Sequence, residues 1–218
     1  MLKAVIFDLD NTLIDFMRFK RVSCENAVDA MIDAGLKMNK KKAMKAIYGL
    51  YEKHSMEDPK IFQHFLKKVT GKVDYKELAY AINAYRQARA AVLTPYPGTK
   101  ATLIKLKEKG LKLAIVSDAP KLKAWLRLTA MKIDDFFDVV VAKEDTGRVK
   151  PSRLPFRAVL KQLNLNPEEC LMVGDRPERD LKGARQLGMK TCIAKYGNNI
   201  KAKADYTIKN IGELADII

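Results

Sequence analysis

Cysteine is scarce and scattered: Cys24, Cys170 and Cys192 are the only three in 218 residues. An odd set without metal-ligand spacing excludes a disulfide framework and a cysteine metal site. Cys170 and Cys192 fall in apolar strand-like runs, so buried free thiols are expected. No apolar run is long enough to span a bilayer, so no membrane partner is expected. Met1-Leu2-Lys3 leads straight into a short strand-like run, without the apolar region and cleavage site of a signal peptide. The expected location is cytoplasmic. Internal repeats and low-complexity segments are also missing. Acidic residues are outnumbered, 26 against 41 basic ones, which leaves a net charge of +15. That excess raises nucleic-acid binding as a role. The lysines are nevertheless dispersed, as in Lys40-Lys41-Lys42, Lys67-Lys68, Lys105, Lys107 and Lys109. Most fall on helix-like segments and read as solvated faces. No basic stripe is interleaved with aromatics, which argues against nucleic acid as the main partner. A basic surface can still steer anionic small molecules.

What is present is a chain long enough for one sizeable core plus a smaller insert. Residues 3–9 read as a buried strand. Helical periodicity follows over about 18–34, 40–54, 58–70 and 74–92, punctuated by Gly35, Asp58-Pro59 and Gly71. Ala27, Ala30, Met31 and Ala34 share one apolar face; Ile61, Phe65, Leu66 and Val69 share another. Thr94-Pro95-Tyr96-Pro97-Gly98 reads as a stiff return linker. Helices at about 98–109, 120–131, 153–164 and 178–187 then alternate with apolar runs at 111–116, 139–141, 170–173 and 191–194. A last strand, Tyr206-Thr207-Ile208, precedes the final helix. The expected fold is α/β: a doubly wound parallel sheet over 1–15 and 94–218, with an all-helical block inserted at 16–93.

In such a sheet ligands bind beyond the carboxyl ends of the strands. Polar residues collect at those ends here. The first run ends in Asp8-Leu9-Asp10-Asn11-Thr12, and the second in Ser117-Asp118. Arg148-Val149-Lys150-Pro151 follows the third, and the fourth ends in Gly174-Asp175 with Asp180 close behind. Bare carboxylates at the end of a buried strand must be paired or bind a metal. Two acids with a nearby hydroxyl suit metal-assisted phosphoryl chemistry, which needs a nucleophile, a proton-transfer group and an anchor.

These four motifs, in this order across the whole chain, resemble the haloacid dehalogenase-like hydrolase superfamily. Its pattern is D-x-D-x-T, then Ser or Thr, then Lys before Pro, then G-D with a further Asp. The block at 16–93 sits where the subgroup similar to phosphoglycolate phosphatase inserts a helical cap after the first motif. The resemblance implies a Rossmann-like catalytic core and phosphoryl transfer through an aspartyl-phosphate. Asp8 would be the nucleophile and Asp10 the general acid and base, with Lys150 neutralising charge. Thr12, Ser117, Asp118 and Lys150 would meet the phosphate, with Thr12 also orienting Asp10. Asp118 stands where many relatives carry Asn, and it is expected to point away or to act through its backbone. Mg²⁺ would be held by Asp8, Asp175 and the backbone carbonyl of Asp10, with Asp180 in the outer shell holding a metal water or Lys150. In this family an acid at Asp10 points to phosphoryl transfer, since members that cleave carbon–halogen or carbon–phosphorus bonds usually lack it.

The implied function is a magnesium-dependent phosphatase acting on a small phosphorylated metabolite. A phosphomutase of the same superfamily and a basic nucleic-acid-binding protein on this fold are the alternatives. A monomer or a homodimer is expected. In the insert, Arg18, Lys20 and Arg21 are candidates for contact with an anionic substrate. His54 and His64, the only histidines, read as plain surface or packing.

Overall fold

The computed structural model describes residues 1–218. The chain divides into two compact units, one of Met1–Phe16 with Thr94–Ile218, the other of Met17–Leu93. In the first unit, β1 (Ala4–Phe7), β2 (Lys112–Val116), β3 (Val139–Val141), β4 (Cys170–Gly174), β5 (Lys190–Ala194) and β6 (Tyr206–Ile208) form one sheet in the order β3-β2-β1-β4-β5-β6. Every pairing is parallel. Strand order reverses at β1, whose neighbours are β2 and β4. Phe7, its last residue, lies level with Ile115 and Val173.

β1 and β4 are buried along their whole length. This explains why they read as continuous apolar runs rather than alternating ones. Side chains still alternate between the faces. Ala4, Ile6, Ala114, Val116, Cys170 and Met172 pack with Phe156, Val159, Leu160 and Leu163 of the helix Arg153–Leu163. Val5, Phe7, Leu113, Ile115, Leu171 and Val173 point the other way and are equally buried. The first strand is shorter than the apolar run suggests, because the chain turns out of the sheet at Asp8.

The second unit consists of four helices that follow one another in sequence: α1 (Phe16–Asp33, whose first residue belongs to the other unit), α2 (Lys40–Lys53), α3 (Ile61–Thr70) and α4 (Tyr75–Val92). Cys24, Ala27, Val28 and Met31 of α1 recur at helical spacing and meet Ile47, Leu50, Tyr51, Phe65 and Leu66 in one core. Asn39 caps α2 by accepting from Lys41 N and Lys42 N, and Asp74 caps α4 from Lys76 N and Glu77 N. All three cysteines are buried and free. No helix is long and apolar enough to cross a membrane.

Candidate active site

The sheet brings the polar strand ends together. Asp8 directly follows Phe7, and its backbone N–H donates to Val173 O at 2.9 Å, which pins the end of β1 beside β4. The chain then folds back on itself. Asn11 adopts a left-handed φ of 62°, its N–H donates to Ile14 O at 2.7 Å, and Leu13 N donates to Leu9 O at 2.9 Å. The turn leaves the Asp8 carboxylate almost fully buried. Its Oδ1 receives the Lys150 ammonium at 2.5 Å, and its Oδ2 receives the Thr12 hydroxyl at 3.4 Å.

Thr12 thus serves Asp8 rather than Asp10, the partner that the family resemblance implies. The carboxylate of Asp10 is held by a residue that the sequence does not single out. Arg127, from the helix Lys121–Met131, donates from Nη1 to Asp10 Oδ2 at 2.8 Å. Its guanidinium lies 4.6 Å from the centre of the Phe16 ring, and the residue is buried.

Lys150 is the hub of the site. Beyond Asp8 it reaches Asp180 Oδ1 at 2.7 Å and Val116 O at 2.9 Å, so three acceptors fix one ammonium. Burial alone would lower its pKa, but the carboxylates of Asp180 and Asp8 outweigh that and keep it charged. Asp180 arrives through a turn that differs from the expected α-helix at 178–187. Residues Pro177–Leu181 form a π-helical turn before the α-helical residues Lys182–Arg185. The wider turn lets Asp180 Oδ2 accept from Arg176 N at 3.0 Å. It also sets Asp180 against β4: a Cβ at Gly174 would stand 2.4 Å from Asp180 Oδ2, so only glycine fits there.

The side chain of Asp118 is engaged on both oxygens: Oδ1 accepts from Lys150 N at 2.8 Å, and Oδ2 takes the guanidinium of Arg179. It thereby anchors the Lys150 loop. Ser117 is buried, and its Oγ accepts from Ala119 N at 3.2 Å, which leaves its own proton to donate.

Asp175 is the anomaly. Both of its carboxylate oxygens are buried and neither accepts a hydrogen bond; Arg176 Nε stands 4.0 Å off. Burial first, then the nearby Asp180, raises its pKa to about 6. Asp8 is pushed up to about 7 by burial and by Asp180, Asp175 and Asp10, against the downward pull of Lys150. Oxygens of Asp8, Asp175 and Asp180 lie within 4.8 Å of one another. A buried all-oxygen donor set with two orphaned oxygens and surplus negative charge fits a hard divalent cation. The side chain of Asp10, engaged by Arg127, lies outside that set.

A further layer braces the Asp8–Ile14 turn; of its residues the sequence marks only Tyr96, as part of the return linker. Tyr196 donates its hydroxyl to Thr12 O at 2.9 Å, and Tyr96 meets the Tyr196 ring edge-on at 4.9 Å. Gly197 lies so close to the turn that a Cβ would clash with Asn11 O. In the helical unit, Lys20 is buried, with its ammonium 4.9 Å from the Tyr51 ring centre and 5.7 Å from that of Tyr85. Both ring contacts favour a buried ammonium. Arg21 pairs with Glu25 at 3.8 Å.

Comparison with known proteins places this geometry among relatives. The family model described as haloacid dehalogenase-like hydrolase matches residues 5–194. A glyceraldehyde 3-phosphate phosphatase of Methanocaldococcus jannaschii is 37% identical over 222 residues, spanning 100% of this chain and 97% of that protein. The crystal structure of a HAD phosphatase from Thermococcus onnurineus superposes with a TM-score of 0.72 at 27% identity, covering 99% of this chain and 97% of its own. A HAD-hydrolase of Bacillus subtilis, solved bound to magnesium, shares the fold with a TM-score of 0.74 at 22% identity, covering 99% and 98%.

Proposed function

The chain belongs to the haloacid dehalogenase-like hydrolase family, and from that premise we propose that it is a magnesium-dependent phosphatase of a small phosphate monoester. The observation that carries the reading is the Asp8 carboxylate, buried at the sheet's switch point and held by Lys150 and Thr12 beside the orphaned oxygens of Asp175. One carboxylate is fixed for attack, and the surrounding charge is arranged for phosphate and a cation.

In the proposed reaction an Asp8 oxygen attacks phosphorus as the ester P–O bond breaks. Asp10 gives its proton to the departing alkoxide, leaving an aspartyl-phosphate. Asp10 then takes a proton from water. That water attacks phosphorus and breaks the bond to Asp8, releasing phosphate and restoring the carboxylate. Ser117 donates its hydroxyl to a phosphoryl oxygen, and Lys150 balances the charge. Asp8 and Asp175, with the Asp10 carbonyl, would hold Mg²⁺, while Asp180 fixes Lys150. When bound, the ion supplies positive charge against the phosphoryl oxygens.

Because the Methanocaldococcus jannaschii relative is named a glyceraldehyde 3-phosphate phosphatase, we assign this three-carbon ester as the preferred substrate. Phosphate release from glyceraldehyde 3-phosphate, phosphoglycolate, hexose phosphates and nucleotides is the test, in Mg²⁺ and in EDTA. Release is expected in Mg²⁺ alone, with glyceraldehyde 3-phosphate ranked first by kcat/KM. Equal release in EDTA overturns the metal assignment. An isomerised product with no free phosphate overturns hydrolysis.

Arg127 is a positioning residue for Asp10 in this scheme. Arg127→Met keeps most of the side chain's apolar bulk over Phe16 but frees the Asp10 carboxylate. The expected result is a fall in kcat of about 10²-fold, with KM little changed and the fold retained by circular dichroism. Unchanged kcat would show that Asp10 holds its place without the guanidinium.

A further inference from the structure

Far along the chain from the Asp8 site, the helical unit carries a second convergence of donor atoms. His54 caps the end of α2, where its N–H donates to Leu50 O at 2.9 Å. His64 sits one turn into α3, with its N–H on Lys60 O at 3.0 Å. Asp58 lies in the loop between them, and its side chain is fixed. Lys60 N donates to Asp58 Oδ1 at 2.8 Å, while Asp58 N donates to Ser55 O at 3.1 Å. That anchorage turns Oδ2 toward the two imidazoles, 3.8 Å from His54 Nδ1 and 3.4 Å from His64 Nε2. Oδ2 is buried, yet it accepts no hydrogen bond.

These separations decide between two readings. A charge-assisted hydrogen bond would bring an imidazole nitrogen to roughly 2.8 Å of the carboxylate. Donors sharing one tetrahedral ion, each about 2.0–2.1 Å from it, stand roughly 3.4 Å apart. The donor atoms of His54, Asp58 and His64 all lie within 4.8 Å of one another; the 3.4 Å to His64 fits the second case, and the 3.8 Å to His54 is too long for the first. Two imidazoles and one carboxylate are a poor set for Mg²⁺, which prefers oxygen, and a good one for zinc and its neighbours.

We propose that His54, Asp58 and His64 form a binding site for a divalent transition-metal ion of zinc-like chemistry, linking the end of α2 to α3. The imidazole rings are stacked, with centres 4.4 Å apart and planes 7° from parallel. A bound ion lies in the plane of each ring it ligates, so binding swings the rings out of this stack. Both have room to turn, being 42% and 38% exposed. The same exposure gives the ion an entry path and leaves its remaining position to water, as in an open three-ligand site.

The two histidines are the only ones in the chain, which makes a direct readout possible on the untagged full-length protein. Zn²⁺ is titrated in saturating Mg²⁺, which would occupy the oxygen-rich site proposed at Asp8 and Asp175. Imidazole ¹H–¹⁵N correlations are recorded alongside calorimetry. Both histidines are expected to shift together and to saturate at one equivalent of Zn²⁺. Asp175→Asn should leave that binding intact, while His64→Ala or Asp58→Asn should weaken it at least about tenfold with the helical content unchanged. Histidine signals that stay still, or move one without the other, overturn the proposal without recourse to a variant. So does Zn²⁺ binding that disappears in Asp175→Asn and persists in His64→Ala.

Discussion

Asp8→Asn is expected to cut phosphate release by at least about 10³-fold without loosening the fold. The amide is nearly isosteric with the carboxylate. Its oxygen can still accept from Lys150 Nζ or the Thr12 hydroxyl, which hold Asp8 now. What it cannot do is attack phosphorus, so no aspartyl-phosphate forms and the water step has nothing to act on. The stability side of the prediction follows from charge. Burial, with Asp180, Asp175 and Asp10 nearby, raises the Asp8 pKa to about 7, well above its ordinary value. A carboxylate raised in this way is stabilising only while protonated, and its contribution falls as pH climbs from the unfolded value toward the folded one. Near neutral pH and without metal ion, the folded protein therefore carries a strained negative charge that asparagine removes. In EDTA the variant should melt at or above the temperature of the parent. Full activity in Asp8→Asn would remove the nucleophile from the scheme. Lost activity with a much lower melting temperature would make Asp8 a structural residue instead.

The residues legible from the chain alone are those whose physics is local. Each strand of the sheet centre is covered on both faces, so β1 and β4 announce themselves as unbroken apolar runs. Where such a run stops in Asp8 or in Gly174-Asp175, solvation chemistry marks the spot without knowledge of the fold. Helices α1 and α3 show in the spacing of Ala27 and Met31 and of Ile61, Phe65, Leu66 and Val69. Lys150 is one of many lysines and was separable only by its place before Pro151.

What stayed hidden depends on partners far apart in sequence. Arg127 lies 117 residues from Asp10, on a helix whose other basic residues, Lys121 and Lys123, are exposed and half-buried. Nothing in its neighbours sets it apart. Tyr196 reaches Thr12 across 184 residues, and Gly197 matters only because Asn11 O happens to approach it. The burial of Lys20 is not legible in the sequence, because the rings of Tyr51 and Tyr85 that shelter it come from other helices. The π turn at Pro177–Leu181 has the composition of an ordinary helix start, and the close approach of Asp180 to Gly174 that accompanies it involves a residue of another element.

Lys150→Met should be the costliest single substitution for the fold, and it separates the structural work of the ammonium from its chemical work. Lys150 donates to Asp8, Asp180 and Val116 O from a position with no solvent access to speak of. Methionine fills the same channel but leaves two buried carboxylates facing each other. Breaking a buried pair from one side costs about 3–5 kcal/mol. For a chain of this length that is a fall in melting temperature on the order of 10 °C. Phosphate release should drop by about 10²-fold or more, since the positive point nearest the proposed nucleophile is gone. Adding Asp180→Asn discriminates between the two roles. The second substitution removes the charge that Lys150 had balanced, so the double variant should recover much of the lost melting temperature. It restores no positive charge beside Asp8, so activity should stay low. Recovery of both together would mean that Lys150 acts only by keeping Asp180 folded into place. Recovery of neither would mean that the acceptors at Asp8 and Val116 O, rather than Asp180, define what the ammonium is for.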